Sequence, residues 1–147
     1  MKVQEFKSGS SVLLDIDQKD TKMAVLFQSA HNKGMQAGRG HRADPMFVRN
    51  SQTGEQWQID DGVCGFASVI VKPGRGKFVT FMKKYFGEDA PRETYQIAMC
   101  HKSYLGGLAI PCMKFGQSME KKRAYCRAFA NVLQDAGINA EVTSQMD

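Results

Sequence analysis

The sequence predicts an α+β fold: a ferredoxin-like split β-α-β unit, its four-stranded antiparallel sheet backed by two helices on one face. Three observations predict it. From Val63 to Val71 the chain is apolar at nearly every position, the pattern of a central strand covered on both faces. Two amphipathic stretches follow, at about Lys77–Phe86 and Met119–Ala136, each with a start or stop signal. Strand-like segments fill the remaining places, giving the order strand, helix, strand, strand, helix, strand from residue 63 onward.

The chain has 147 residues, the size of one domain. We read residues 1–62 as an extension of strand, helix and hairpin, and 63–147 as the core. Val12–Ile16 looks like a short strand after the Ser8-Gly9-Ser10-Ser11 stretch. Asp20 is placed to cap a helix to about Ala37, whose apolar stripe is half small residues (Ala30, Gly34, Ala37). Small residues invite close approach of another element, and this helix is the candidate cover for the second sheet face. Gly38 is expected to end it in a left-handed conformation. A basic loop, Arg39 to Pro45, leads to a hairpin of Met46–Arg49 and Gln56–Ile59, and Asp60-Asp61-Gly62 turns into the central strand.

Lys72-Pro73-Gly74-Arg75-Gly76 breaks that strand, and Gly87 stops the helix after it. Thr94–His101 and Leu108–Lys114 are expected to pair through the Tyr104–Gly107 turn. Ser118 caps the last helix, Gly137 and Ile138 form its C-terminal cap, and Ala140–Thr143 closes the sheet.

Composition excludes several functional classes. Hydrophobic residues at 42% and charged residues at 24% describe a globular chain, and no apolar run reaches the ~18 residues of a membrane span. The N-terminus turns polar too soon for a signal peptide, so the expectation is a protein that stays in the cytoplasm. Cys64, Cys100, Cys112 and Cys126 contain no CxxC pair, which argues against zinc and for reduced, packed thiols. Cys100 and Cys112 could face one another across the expected strand pair. No metal or cofactor is expected.

The chemistry the sequence does offer is cationic. With 20 Lys+Arg against 15 Asp+Glu, the net charge of +5 leans toward nucleic acid or another polyanion. Three clusters carry it. Lys72, Arg75 and Lys77 flank a strand–glycine–helix junction, where backbone N–H groups and the helix dipole favour phosphate, although neither P-loop nor GxGxxG spacing is present. Arg39, His41 and Arg42 form a second glycine-basic cluster, and Lys121 with Arg123 a third in the first turns of the last helix, joined by Arg127 a turn later. A tight solvated turn, a surface loop and a charged helix face explain the same residues without a ligand. Catalytic candidates are lacking. His31 reads as a packed histidine, Cys100 and His101 alternate across a strand, and Asp60-Asp61 reads as turn chemistry. Trp57, Leu105 and Phe115 are left outside this core and motivate an alternative, a module binding a host or phage protein.

From about Ala30 onward the chain also resembles a family of small uncharacterised bacteriophage and prophage proteins. The similarity rests on Ala30-His31, Gly34-Met35, Ala37-Gly38, Pro45-Met46, Asp61 to Ala67, Lys72-Pro73, the Tyr104-Gly106-Gly107 turn, Gly116 to Lys121, Ala124-Tyr125, Ala128-Phe129-Ala130, Val132-Leu133 and Ser144 to Asp147. The chain departs at Ser68 and Pro111, where the family usually has tryptophan, and its stretch between Gly87 and Tyr104 is longer. The resemblance implies a phage or mobile-element origin and brings no activity, cofactor or catalytic residue.

Overall fold

The computed structural model describes residues 2–8, 10–42, 46–59 and 62–147, and for 2–14, 46 and 59 their backbone. The expected loop at Ala43–Pro45 and turn at Asp60-Asp61 lie outside the described residues.

Two hairpins precede the core. Strands β1 (Lys2–Ser8) and β2 (Ser10–Ile16) pair antiparallel, so the strand expected at Val12–Ile16 is the second arm of a longer ribbon. Strands β3 (Met46–Arg49) and β4 (Gln56–Ile59) form the expected hairpin. Between the hairpins runs helix α1 (Thr21–Gly40).

The central sheet has four antiparallel strands: β5 (Gly65–Val71), β6 (His101–Lys102), β7 (Leu108–Pro111) and β8 (Ala140–Met146), in the order β6-β7-β5-β8. Helix α2 (Lys77–Phe86) follows β5, and α4 (Met119–Asp135) joins β7 to β8. The α4 caps form as expected. Ser118 Oγ accepts from Lys121 N at 3.3 Å, Gly137 takes φ +83°, and Ile138 N donates to Leu133 O at 2.9 Å.

Four expectations need correction. Residues 94–98 belong to a short helix, α3 (Arg92–Ala98), and the strand before the turn shrinks to His101–Lys102. Tyr95 and Ile97 suit a strand by propensity, but Met99 in the left-handed region (φ 48°) closes a helical turn and sends Cys100 N to Phe86 O. Helix α1 continues past Gly38 to Gly40. Asp20 makes no capping bond; its carboxylate accepts from Lys84 Nζ at 2.8 Å and from Tyr85 O–H at 2.8 Å.

The fourth correction is the largest. Strand β5 is sealed on one face only. Ala67, Val69 and Val71 are buried against the helices, whereas Phe66 on the opposite face is 55% exposed. Ile70 on that face is buried without joining the main core, consistent with its place between Ala109 and Glu141 on neighbouring strands. Helix α1 does not cover this face. Its Phe27 enters a ring cluster with Phe86, Phe129 and Phe81, at centroid separations of 4.8, 6.0 and 6.5 Å. The small-residue stripe is the reason. A Cβ on Gly34 would lie 2.6 Å from the Tyr125 ring, and one on Gly38 would overlap Phe115, so α1 can close only on α4 and its preceding loop.

Candidate functional site: two basic pockets and an open sheet face

The contact between α1 and α4 determines where the charges go. Residues at the C-terminal end of α1 come to lie beside the first turns of α4, whose start is tied to β5 by Met119 N to Val63 O (3.1 Å) and Gly65 N to Gln117 O (3.0 Å). His41, Arg42, Glu120, Arg123 and Arg127 thereby line one cavity of about 250 Å³. Two of the three sequence clusters, some 80 positions apart, meet here. His41 Nε2 lies 3.6 Å from Glu120 Oε2. Among the described residues, no carboxylate lies within 4.0 Å of Arg42, Arg123 or Arg127. Arg123 and Arg127 stand four apart on one helix face, where like charges repel. An anion between them would relieve that repulsion.

The third cluster remains apart, beyond the other end of β5. Pro73, Gly74, Arg75, Lys83, Lys102 and Gly107 line a cavity of about 500 Å³. Lys83 Nζ donates to Gly74 O at 3.3 Å, and Gly107 (φ +83°) sits so close to Val71 O that no side chain would fit. Lys72 is held by Glu141 at 3.0 Å, and Lys77, the exposed first residue of α2, lines neither cavity. Arg39 and Lys121 also lie outside the linings. Sequence reasoning left Lys83 and Lys102 out: Lys102 joins the pocket through the two-residue β6, which the expected longer strand concealed.

Between the two basic ends lies the uncovered sheet face, a groove of about 260 Å³ lined by residues that include Phe66, Ser68, Ile70, Lys102, Tyr104 and Gln145. Ser68 and Pro111, the positions where the phage pattern has tryptophan, are register partners in the sheet. Lys122 on α4 is 7% exposed, and its ammonium lies 5.1 Å from the Phe66 ring centroid.

The titratable groups of the core are structural. His31 Nδ1 and Tyr125 O–H share a hydrogen bond of 2.7 Å inside the α1–α4 contact, and burial pushes the Tyr125 phenol well up. Cys100 is also pushed up by burial. Cys112 Sγ donates to Lys114 O at 3.8 Å, and Cys100 and Cys112 form no disulfide. The Cys112 and Cys126 thiols are neighbours whose hydrogen bonding lowers Cys112 and raises Cys126, and all four cysteines are free thiols. Phe115, expected at the surface, packs on Tyr125, whereas Trp57 and Leu105 are exposed. Among the described residues, no helix is long and apolar enough to cross a membrane, and no group of three or more His, Cys, Asp or Glu is placed to hold a metal ion.

Comparison with models of known protein families, with curated proteins and with solved structures found no significant match to this chain.

Proposed function

We propose that this chain is a small phage-encoded accessory protein that binds a polyanion, nucleic acid foremost, through the pocket formed by His41, Arg42, Arg123 and Arg127. One observation carries the reading. Three arginines line a single cavity, and among the described residues no carboxylate lies within 4.0 Å of any of them; Glu120 shares the lining but sits beside His41, so three positive charges face one acid and an added anion would relieve their repulsion. Arginine suits the task because its planar fork meets phosphate oxygens in pairs. The Arg75–Lys83–Lys102 pocket adds a second point for a chain of phosphates. The resemblance to phage proteins supplies the suggested origin and no activity.

Within the same proposal, residues 65–146 are a ferredoxin-like unit. The alternation of β5, α2, β6, β7, α4 and β8 supports this, and α3 is an insertion into it. A second reading, a protein-binding module, draws on the β3–β4 hairpin, which exposes Phe47 at 69% and Trp57 at 49%.

Nucleic-acid binding measured across a salt series tests the main reading. The expected result is affinity that falls steeply with salt. Each phosphate that a cation neutralises adds ~0.7–0.9 to the slope, so the Arg123→Gln/Arg127→Gln double variant should show a slope about 1.4–1.8 shallower. Undetectable or salt-insensitive binding, or a double variant indistinguishable from the parent, would contradict it.

A further inference from the structure

The uncovered face of the sheet has a composition that the arginine pocket does not explain. Phe66 is 55% exposed and Tyr104 93% exposed, and both line one groove. Isolated exposed aromatics are ordinary, but two in one groove beside Ser68 and Gln145 offer ring faces together with hydrogen-bonding side chains.

The charges around this face include lysines near both ends of β5 and one acid, Glu141, the register partner of Ile70. Lys122 is nearly buried, and among the described residues no carboxylate lies within ion-pairing reach of it. Its ammonium sits over the Phe66 ring instead. The ring therefore supplies the partner that the buried ammonium otherwise lacks, and Lys122 fixes the position of the Phe66 ring at the rim of the groove. At the opposite end, Lys102 lines both the groove and the adjoining Arg75–Lys83 pocket, which makes the two cavities neighbours. The acidic group near this region, Glu141, is already neutralised by Lys72. Phe66 near the start of β5 and Tyr104 in the turn beyond Val71 therefore stand at opposite ends of a strand roughly 20 Å long, with Lys102 beside the second.

We propose that this open sheet face is a stacking platform for single-stranded nucleic acid, with bases on Phe66 and Tyr104 and a phosphate at Lys102, which lines the groove. The inference rests on the polyanion reading and narrows it, because a ring can stack only on a base that is not already stacked in a duplex. A sheet of this width accommodates about two or three bases. Lys122 and Arg123 are consecutive on α4, so the platform and the arginine pocket share the first turns of that helix.

Fluorescence anisotropy on the full chain tests the proposal, using a labelled single strand of about twelve nucleotides, within the ~4–16 nucleotides such surfaces occupy. A duplex of the same sequence and heparin, a polyanion without bases, serve as competitors. Phe66→Ala and Tyr104→Ala are each expected to weaken single-strand binding about tenfold and to leave heparin binding unchanged. Arg123→Gln/Arg127→Gln is expected to weaken both. Circular dichroism checks that each variant folds; a variant that does not is replaced by Phe66→Leu or Tyr104→Leu, which keep apolar bulk and remove the ring. The platform is refuted if both aromatic variants bind the single strand like the parent, or if the duplex competes as well as the single strand. Heparin binding with no aromatic effect removes the platform alone, and failure of every polyanion to bind removes the polyanion reading with it.

Discussion

The two faces of the central sheet are built from alternate residues of the same strands and do opposite things. Toward the helices, Ala67, Val69 and Val71 meet a continuous core in which Phe27, Phe81, Phe86 and Phe129 interlock. Toward the other side, Phe66 and Ser68 face a groove whose lining includes Lys102, and Lys122 lies over the Phe66 ring. The first face commits its aromatic rings to stability, and the second leaves them accessible. A residue's contribution to folding should therefore depend on the parity of its position along β5 and on the layer it enters.

Substitutions can break or sharpen that contrast. The largest effect is expected at Phe129, fully buried where α1, α2 and α4 meet. Phe129→Ala should cost about 3–5 kcal/mol in denaturant unfolding, from reduced burial and the cavity left behind. Next comes Gly34→Leu. Even its Cβ would lie 2.6 Å from a Tyr125 ring that His31 holds in place, so overpacking should cost about 1–3 kcal/mol. It should also loosen the α1–α4 contact that assembles the arginine pocket, and so weaken polyanion binding.

A smaller effect lies at the junction of β2 and α2, where Lys84 binds Asp17 at 2.6 Å and Asp20 at 2.8 Å. The hydrogen bond from Lys84 is the main cause that holds the Asp20 carboxyl below its ordinary 3.8. A lowered folded-state value means the contribution is complete above the unfolded value and is lost as pH falls through the folded one. Thermal melts should therefore drop below about pH 4, and Asp20→Asn should flatten part of that fall at a cost under ~1 kcal/mol at neutral pH. Smallest of all is Phe66→Ala. On the open face it should change unfolding stability by no more than about 0.5 kcal/mol, while the same change weakens binding. A loss of several kcal/mol would mean that the face is a second core.

These expectations also show what the residues alone made legible. Strand β5, helices α2 and α4, the Ser118 cap and the Gly137–Ile138 cap were readable because each is encoded by neighbours within a few positions. Helix α3 was not. Tyr95 and Ile97 favour a strand locally, and what holds the segment as a helix includes a remote bond from Cys100 N to Phe86 O. The glycines of α1 correctly announced a close approach, but not its partner, since that depends on where Tyr125 and Phe115 project. The arginine pocket follows the same rule. Arg42 and Arg123 were each visible as charged residues, and their meeting is a consequence of α1 closing on α4. Lys122 was legible only as one charge of the Lys121–Arg123 run, because its burial and its ring partner belong to the tertiary structure.

The most direct test of the account is a titration of the isotopically labelled protein with a single-stranded oligonucleotide, followed by amide chemical shifts. The account predicts perturbations at Phe66, Ser68, Lys102, Tyr104 and Gln145, together with Arg123 and Arg127. Shifts confined to the Phe47–Trp57 hairpin or to the buried helix layer, or no shifts at saturating oligonucleotide, would contradict it.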